Sequence, residues 1–253
     1  MAAVSTRREA SVLHVALVRP ERRNAFDDVV ISELTAAFAE VGDARAVVLT
    51  GEGPSFSAGA DIGWMRRSVD KRYEENLEDA ERLHRLLETI DLCPAPVIAR
   101  VQGHALGGGS GLVACADIAI AATDAVFGFS EVKLGITPAV ISPFALARIG
   151  AGAARRLFLT GERFDAPTAL RIGLVHEVVD DLDAAVERVL GELLAAAPEA
   201  VRAAKQLVRE RPDAAETARR NAARRLSDEG QEGLRAFLER RPAAYVERRH
   251  PAA

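Results

Sequence analysis

The stretch AVVLTGEGPSFSAGADIGWM, residues 46–65, decides how the rest of the chain is read. It opens on a short, largely apolar run over residues 46–50, which predicts a buried strand. Residues 56–62 then gather small side chains around Gly59 and end in a single charge, Asp61. Small residues let a backbone come close to something, so the loop after this strand is the first place to look for a site.

Working back from it, HVALVR (residues 14–19) alternates weakly and predicts an earlier strand. RPERRNAF (19–26) turns the chain, with Pro20 and Asn24 as breakers. Asp27 or Asp28 can cap a helix running to about Glu40, with Val30, Leu34, Ala37, Phe38 and Val41 near helical spacing. Strand, helix, strand in that order implies parallel pairing through a crossover.

Working forward, residues 63–92 are charged with helical periodicity at Leu77, Ala80, Leu83, Leu86, Leu87 and Ile90. Their charge, and their place after the loop, suit residues 63–80 to a mobile lid. CPAPVIARVQG breaks that helix and opens a strand over 97–101. A glycine cluster (107–111), a short helix (112–116) and strands over 117–121 and 125–129 follow, the last ending at Ser130-Glu131. Residues 143–149 and 151–160 read as helical, and 161–179 as turn, helix and short strand. From Leu182 the chain reads as two long, Arg-rich, amphipathic helices. The first 180 or so residues are therefore mixed α/β and the tail is helical.

Two loops share one design. Ser57-Ala58-Gly59-Ala60-Asp61 and Gly107-Gly108-Gly109 each follow a buried strand and lead toward a helix. Each alone reads as a tight turn with close helix–strand packing. As a pair they also read as two sets of spare backbone N–H groups that can converge on a developing oxyanion. Glu131, at a strand end, reads either as a surface carboxylate paired with Lys133 or an arginine, or as a proton carrier with a pKa raised by an apolar pocket. Glu21-Arg22-Arg23 is a solvated turn or a phosphate contact. His104 reads as a hydrogen-bonded loop histidine; His14, His84, His176 and His250 are scattered and suggest no metal cluster. Trp64 and Met65 read as core or pocket lining.

Other motifs fail on inspection. Gly109-Ser110-Gly111-Leu112-Val113-Ala114 fits GxGxxA, with Glu131 twenty residues after Gly111. The helix available before Asp117 is too short for a crossover, and Glu131 ends the second following strand rather than the first. Ser110 has Leu112 two places on, so GxSxG is absent, as is GxxxxGK[ST]. The composition is 49% hydrophobic and 28% charged over 253 residues, ordinary for a soluble globular chain. A net charge of −4 argues against nucleic acid as a partner. Cys93 and Cys115 form no CxxC pair and read as small core residues. The start lacks a signal-peptide core, and no apolar run reaches the roughly 18–20 residues of a membrane span, so the expected location is the cytoplasm.

Taken in order, RPERRNAF, FSAGADI, VQGHALGGG, ADIAIAA, FGFSEVKLGITP, LTGERFDAPTALRIGLVHEVV and EGLRAFLERRP resemble the enoyl-CoA hydratase/isomerase (crotonase) superfamily over nearly the whole chain. The resemblance implies a spiral of ββα units over residues 1–195 and a helical region over 196–253 that makes trimers, often paired into hexamers. It implies an acyl-CoA thioester substrate and no metal or redox cofactor. It assigns the oxyanion hole to the N–H groups of Ala58 and Gly108, and the CoA grip to Arg23, Ala25 and the 58–62 backbone (Ala58, Gly59, Ala60, Asp61, Ile62). It adds Pro138 to the acyl site, and Phe237 and Arg240 as tail residues that reach a CoA, usually a neighbour's.

Hydratases of the two-glutamate kind carry one Glu just after the glycine cluster and another twenty residues on. Here the second is Glu131 and the first position is Gly111. One carboxylate suffices to move a proton between two carbons, which favours a double-bond isomerase; a decarboxylase or thioesterase-like enzyme is a further alternative. GGGSGLVACADIAIAA and FSEVKLGITPAVISPFALARIG, however, most resemble the bacterial methylglutaconyl-CoA hydratase group of leucine and isoprenoid breakdown. The resemblance thus implies hydration of a branched enoyl-CoA, with Glu131 carrying the proton.

Overall fold

The computed structural model describes residues 2–247. His250 and residues 248–253 of the tail lie outside them. An edge strand absent from the sequence reading, β1 (Val4–Glu9), pairs antiparallel with β2 (Val12–Leu17). Only Val4 of β1 is buried, so no apolar run marks it. Asp27 caps α1 (Asp28–Ala39) by accepting from the Val29 and Val30 N–H groups. β3 (Ala46–Gly51) then runs parallel to β2, as the strand–helix–strand order predicts. The charged segment forms α2 (Ile62–Ser68) and α3 (Tyr73–Asp91), and β4 (Val97–Val101) lies parallel to β3.

The glycine cluster departs from expectation. After the short β5 (His104–Leu106), α4 (Gly108–Cys115) begins inside the cluster rather than at Leu112. Glycine's poor helix propensity hides this start. Tertiary packing overrides it: all of α4 except Gly108 is buried. β6 (Ile118–Ala122) and β7 (Val126–Gly128) follow, then a 3-10 turn at Glu131–Leu134 and α5 (Ser142–Thr160). α5 is interrupted by Gly150 at φ 70°, which is why the sequence reads as two helical pieces. β8 (Arg163–Asp165), α6 (Ala166–Arg171) and β9 (Glu177–Val179) complete the mixed α/β part.

The tail holds four helices among the described residues, not two long ones: α7 (Leu182–Ala195), α8 (Pro198–Glu210), α9 (Ala214–Leu226) and α10 (Asp228–Leu238). Pro198, Arg211 in the left-handed region, and the N-caps Asp213 and Ser227 make the breaks.

The main sheet has the order β1-β2-β3-β4-β6-β9, parallel from β2 onward; β5, β7 and β8 form a second, three-stranded sheet. Alternation along β3 sends Val47 and Leu49 to one core and Ala46 and Val48 to another. The first core lies under α1, α3, α4 and α5. The second is covered by α7 through Leu182, Val186, Leu190 and Leu194. Each such fully buried side chain is worth roughly 2 kcal/mol. Lys205 of α8 reaches back to Asp117 Oδ2 (2.7 Å) and the Ala95 carbonyl (3.3 Å), tying the tail to the sheet.

Candidate active site

The two glycine loops meet. The Ser57 N–H donates to the His104 carbonyl (2.9 Å), and the Leu106 N–H donates back to the Ser57 carbonyl (3.0 Å). A third segment joins on the other side. The Phe26 N–H donates to the Gly59 carbonyl, and the Asp61 N–H donates to the Phe26 carbonyl, both at 2.7 Å. Asn24 anchors that segment. It is fully buried with φ 54°, its amide donates to the Glu52 and Ser55 carbonyls, and its Oδ1 accepts from the Arg19 N–H. Asparagine tolerates this left-handed turn better than most residues, and leaving those buried partners unpaired would be costly. Asp61 N-caps α2 by accepting from Trp64 N–H and pairs with Arg22. Burial opposes its ionisation, but these two partners outweigh that and hold its carboxyl below the usual range.

This stitching decides which amides are spare. The Ala58 N–H is not: it donates to the Arg23 carbonyl at 2.9 Å. The oxyanion role the resemblance assigns to Ala58 is therefore corrected. In the first loop the amide that no described residue accepts from is that of Ala60. In the second no described residue accepts from Gly108 or Gly109, the first two positions of α4, and Gly108 is the one directly after the turn. The two are related by construction. Each follows a glycine with positive φ, Gly59 (85°) and Gly107 (51°). The backbones of those glycines abut, since a Cβ on Gly59 would lie 2.7 Å from the Leu106 carbonyl oxygen and 3.7 Å from Gly107 Cα. Phe26 braces both sides: it bridges to Ala60, and its ring lies where a Cβ on Gly108 would go, 2.7 Å from Cε2.

Glu131 completes the cluster. Its Oε1 sits 3.3 Å from where a Cβ on Gly107 would be. Its Oε2 is buried without a hydrogen-bond partner, and no basic side chain among the described residues pairs with it. Burial pushes its pKa above the usual 4.5, offset only in part by its own backbone N–H. The surface reading, with Lys133 as partner, is thereby set aside. A desolvated carboxyl beside two unused amides can exchange a proton with an atom whose neighbouring oxygen those amides hold.

The remaining sequence candidates scatter. Ala25 is buried beneath the first loop, Arg23 is exposed beside it, and Ile62 stands 65% exposed at its end. Pro138 is buried in the segment between Glu131 and α5. Phe237 is 81% exposed and Arg240 lies just past α10; no hydrogen bond or ion pair joins either to the two loops. Phe26 is a site builder that the sequence reading missed, and Ala60, expected in the CoA grip, is the residue whose amide is spare. A cavity of about 530 Å³ between α5, β8 and α6 contains none of the cluster. No group of three or more metal-ligating side chains occurs among the described residues, and no described helix is long and apolar enough to cross a membrane.

A family model described as enoyl-CoA hydratase/isomerase matches residues 7–248. The chain belongs to the enoyl-CoA hydratase/isomerase family. Among its relatives is a crotonyl-CoA hydratase of Syntrophomonas wolfei, 36% identical over 241 residues, spanning 90% of this chain and 92% of the relative. An enoyl-CoA hydratase structure from Shewanella pealeana shares 42% identity with a TM-score of 0.92, covering 96% of this chain and 95% of the other. Pseudomonas aeruginosa AtuE shares 38% identity with a TM-score of 0.93, covering 97% and 100%. The spiral α/β fold with a helical C-terminal region is thus the family's.

Proposed function

We propose that this enzyme reversibly hydrates a 2-enoyl-CoA thioester. The observation that carries the reading is the cluster of Glu131 with the spare N–H groups of Ala60 and Gly108; the names of its relatives support it. The two amides hold the thioester oxygen, so that negative charge developing there as water adds to C3 is stabilised; one such donor is worth about 10²-fold or more. Glu131 accepts a proton from the water as the C3–O bond forms, and returns a proton to C2 as the enolate collapses. Water supplies both the hydroxyl and the hydrogen, so the carboxylate is regenerated. No step calls on a metal or redox cofactor.

Arg23, Ala25 and the 58–62 backbone hold the CoA moiety, and Phe237 and Arg240 reach the CoA of a neighbouring copy. The exposed apolar residues Leu207, Val208, Leu226 and Leu238 on the tail suit a homotrimer or homohexamer working in the cytoplasm. The favoured acyl group is that of 3-methylglutaconyl-CoA, whose distal carboxylate offers water a second polar contact.

Gly111 supports a second reading, a single-glutamate double-bond isomerase. The two separate in heavy-oxygen water with 2-enoyl-, 3-enoyl- and methylglutaconyl-CoA. Hydration adds the label to the product, whereas isomerisation leaves the mass unchanged. Absence of label from every product would sink the hydratase reading; loss of mass would point to decarboxylation.

The pH profile follows from the Glu131 environment. The carboxylate form starts the reaction, so kcat/KM rises with pH through an acid limb set by Glu131, and burial places that limb above 4.5. A limb at or below 4.5 would count against Glu131 as the group that titrates.

A further inference from the structure

Side chains on an α-helix lean toward its N-terminus, over the preceding turn. For position 111 of α4 that turn is Gly107–Gly108, the one against which Glu131 Oε1 rests. A side chain at 111 would emerge beside Glu131. Its room is already taken. A first carbon added to Gly111 would lie 2.7 Å from Ile141 Cγ2, 3.3 Å from Ile141 Cβ and 3.6 Å from Leu87 Cδ2.

Ile141 is badly placed to yield. It is 3% exposed and β-branched, so few rotamers are open to it. Its backbone is held as the cap of α5, its carbonyl accepting from the Ala145 N–H at 3.0 Å with Pro143 following in the first turn. The segment back to Glu131 is held as well, by the Ile136 N–H donating to the Glu131 carbonyl.

We propose that Ile141 sets the reaction specificity of this site: its γ-methyl fills the station opposite Glu131 and keeps the site to one carboxylate. The inference rests on the hydratase reading above. Water entering the site meets hydrocarbon on the Ile141 side. Glu131 holds it together with whatever polar group the acyl chain brings. Enoyl thioesters with a distal carboxylate are therefore good substrates, and plain straight-chain ones are poor.

The test is a double-mutant cycle of G111E and I141G, read by melting temperature and by hydration of crotonyl-CoA, which has no distal polar group. G111E alone lowers the melting temperature by roughly 5–10 °C, from overpacking, and hydrates crotonyl-CoA no faster than wild type. In the I141G background the same change costs less than half as much. There it raises crotonyl-CoA hydration about tenfold or more over I141G alone, by adding a second proton-transfer group. Additive melting effects, or a double variant that does not fold, would overturn the placement of Ile141. Non-additive melting without the gain in hydration would overturn its role in specificity. A wild-type enzyme inert toward every 2-enoyl-CoA would instead overturn the hydratase reading.

Discussion

Glu131→Gln lowers turnover of the enzyme's own enoyl-CoA by about 10²–10⁴-fold, the usual loss when a positioned acid–base group is removed. Glutamine keeps the shape and replaces the ionisable carboxyl with an amide that cannot carry the proton. The Glu131 Oε2 has no partner among the described residues, so the change breaks no hydrogen bond there and removes a buried charge. Stability should therefore not fall, and its pH dependence has a definite sign. Burial raises the folded-state pKa of Glu131 above 4.5, so the fold favours the neutral acid. The stability this contributes is fully present below 4.5 and is lost as pH rises through the raised folded value. Relative to wild type, the variant should thus gain melting temperature on going from acid to neutral pH. Retained turnover would remove Glu131 from the mechanism. A variant that melts well below wild type at neutral pH would show that the buried carboxylate is a structural partner instead.

Gly59→Ala is expected to damage the site and the fold together. Gly59 has φ 85°, where an L side chain is strained, and its added carbon would lie 2.7 Å from the Leu106 carbonyl oxygen. That oxygen belongs to backbone, so a rotamer change cannot relieve the contact. Overpacking of this kind costs about 1–3 kcal/mol, and the left-handed backbone adds about 1–3 more. The larger effect is on rate. The two loops must part, and a displacement of about 1 Å between groups that hold a reacting atom can cost about 10²-fold. The measurement is kcat/KM beside the melting curve. Gly152→Ala is the control: nothing lies within 4 Å of its added carbon, and it sits within α5. That change should leave rate unaltered and hold or raise stability. Equal behaviour of the two variants would mean that the abutting loops are not the thioester holder.

Much of this was legible in the chain itself, and the failures have physical causes. β3, β4 and α1 show through apolar runs and an aspartate cap, signals that act over a few residues. β1 carries one buried side chain and was invisible. The start of α4 was misplaced because packing, not propensity, makes a helix of Gly108 and Gly109. Glu131 was legible as a strand-end carboxylate, but its lack of a partner was not, since that depends on what the fold keeps away from it. The resemblance points to Ala58 rather than Ala60, and sequence alone does not reveal which of the two amides is spent. The Arg23 carbonyl that takes the Ala58 N–H is 35 positions upstream, delivered by a turn that Asn24 holds. Gly111 looked like a missing residue; only the Ile141 methyl shows it to be one half of a fitted pair.

The amides of Ala60 and Gly108 owe their positions to main-chain bonds among three distant segments: Arg23–Phe26, Ser57–Asp61 and His104–Gly108. A holder made this way is indifferent to most side-chain replacements. The groups that choose the chemistry hang elsewhere, on α4 and on the segment from Glu131 to Ile141. The scaffold behaves like a vice with interchangeable jaws. On the function proposed above, grip on the thioester should stay constant while exchanges at positions 111, 131 and 141 redirect what happens to the carbon beside it. An engineer wishing to change the reaction would leave the glycine loops untouched and work on those three positions as a set.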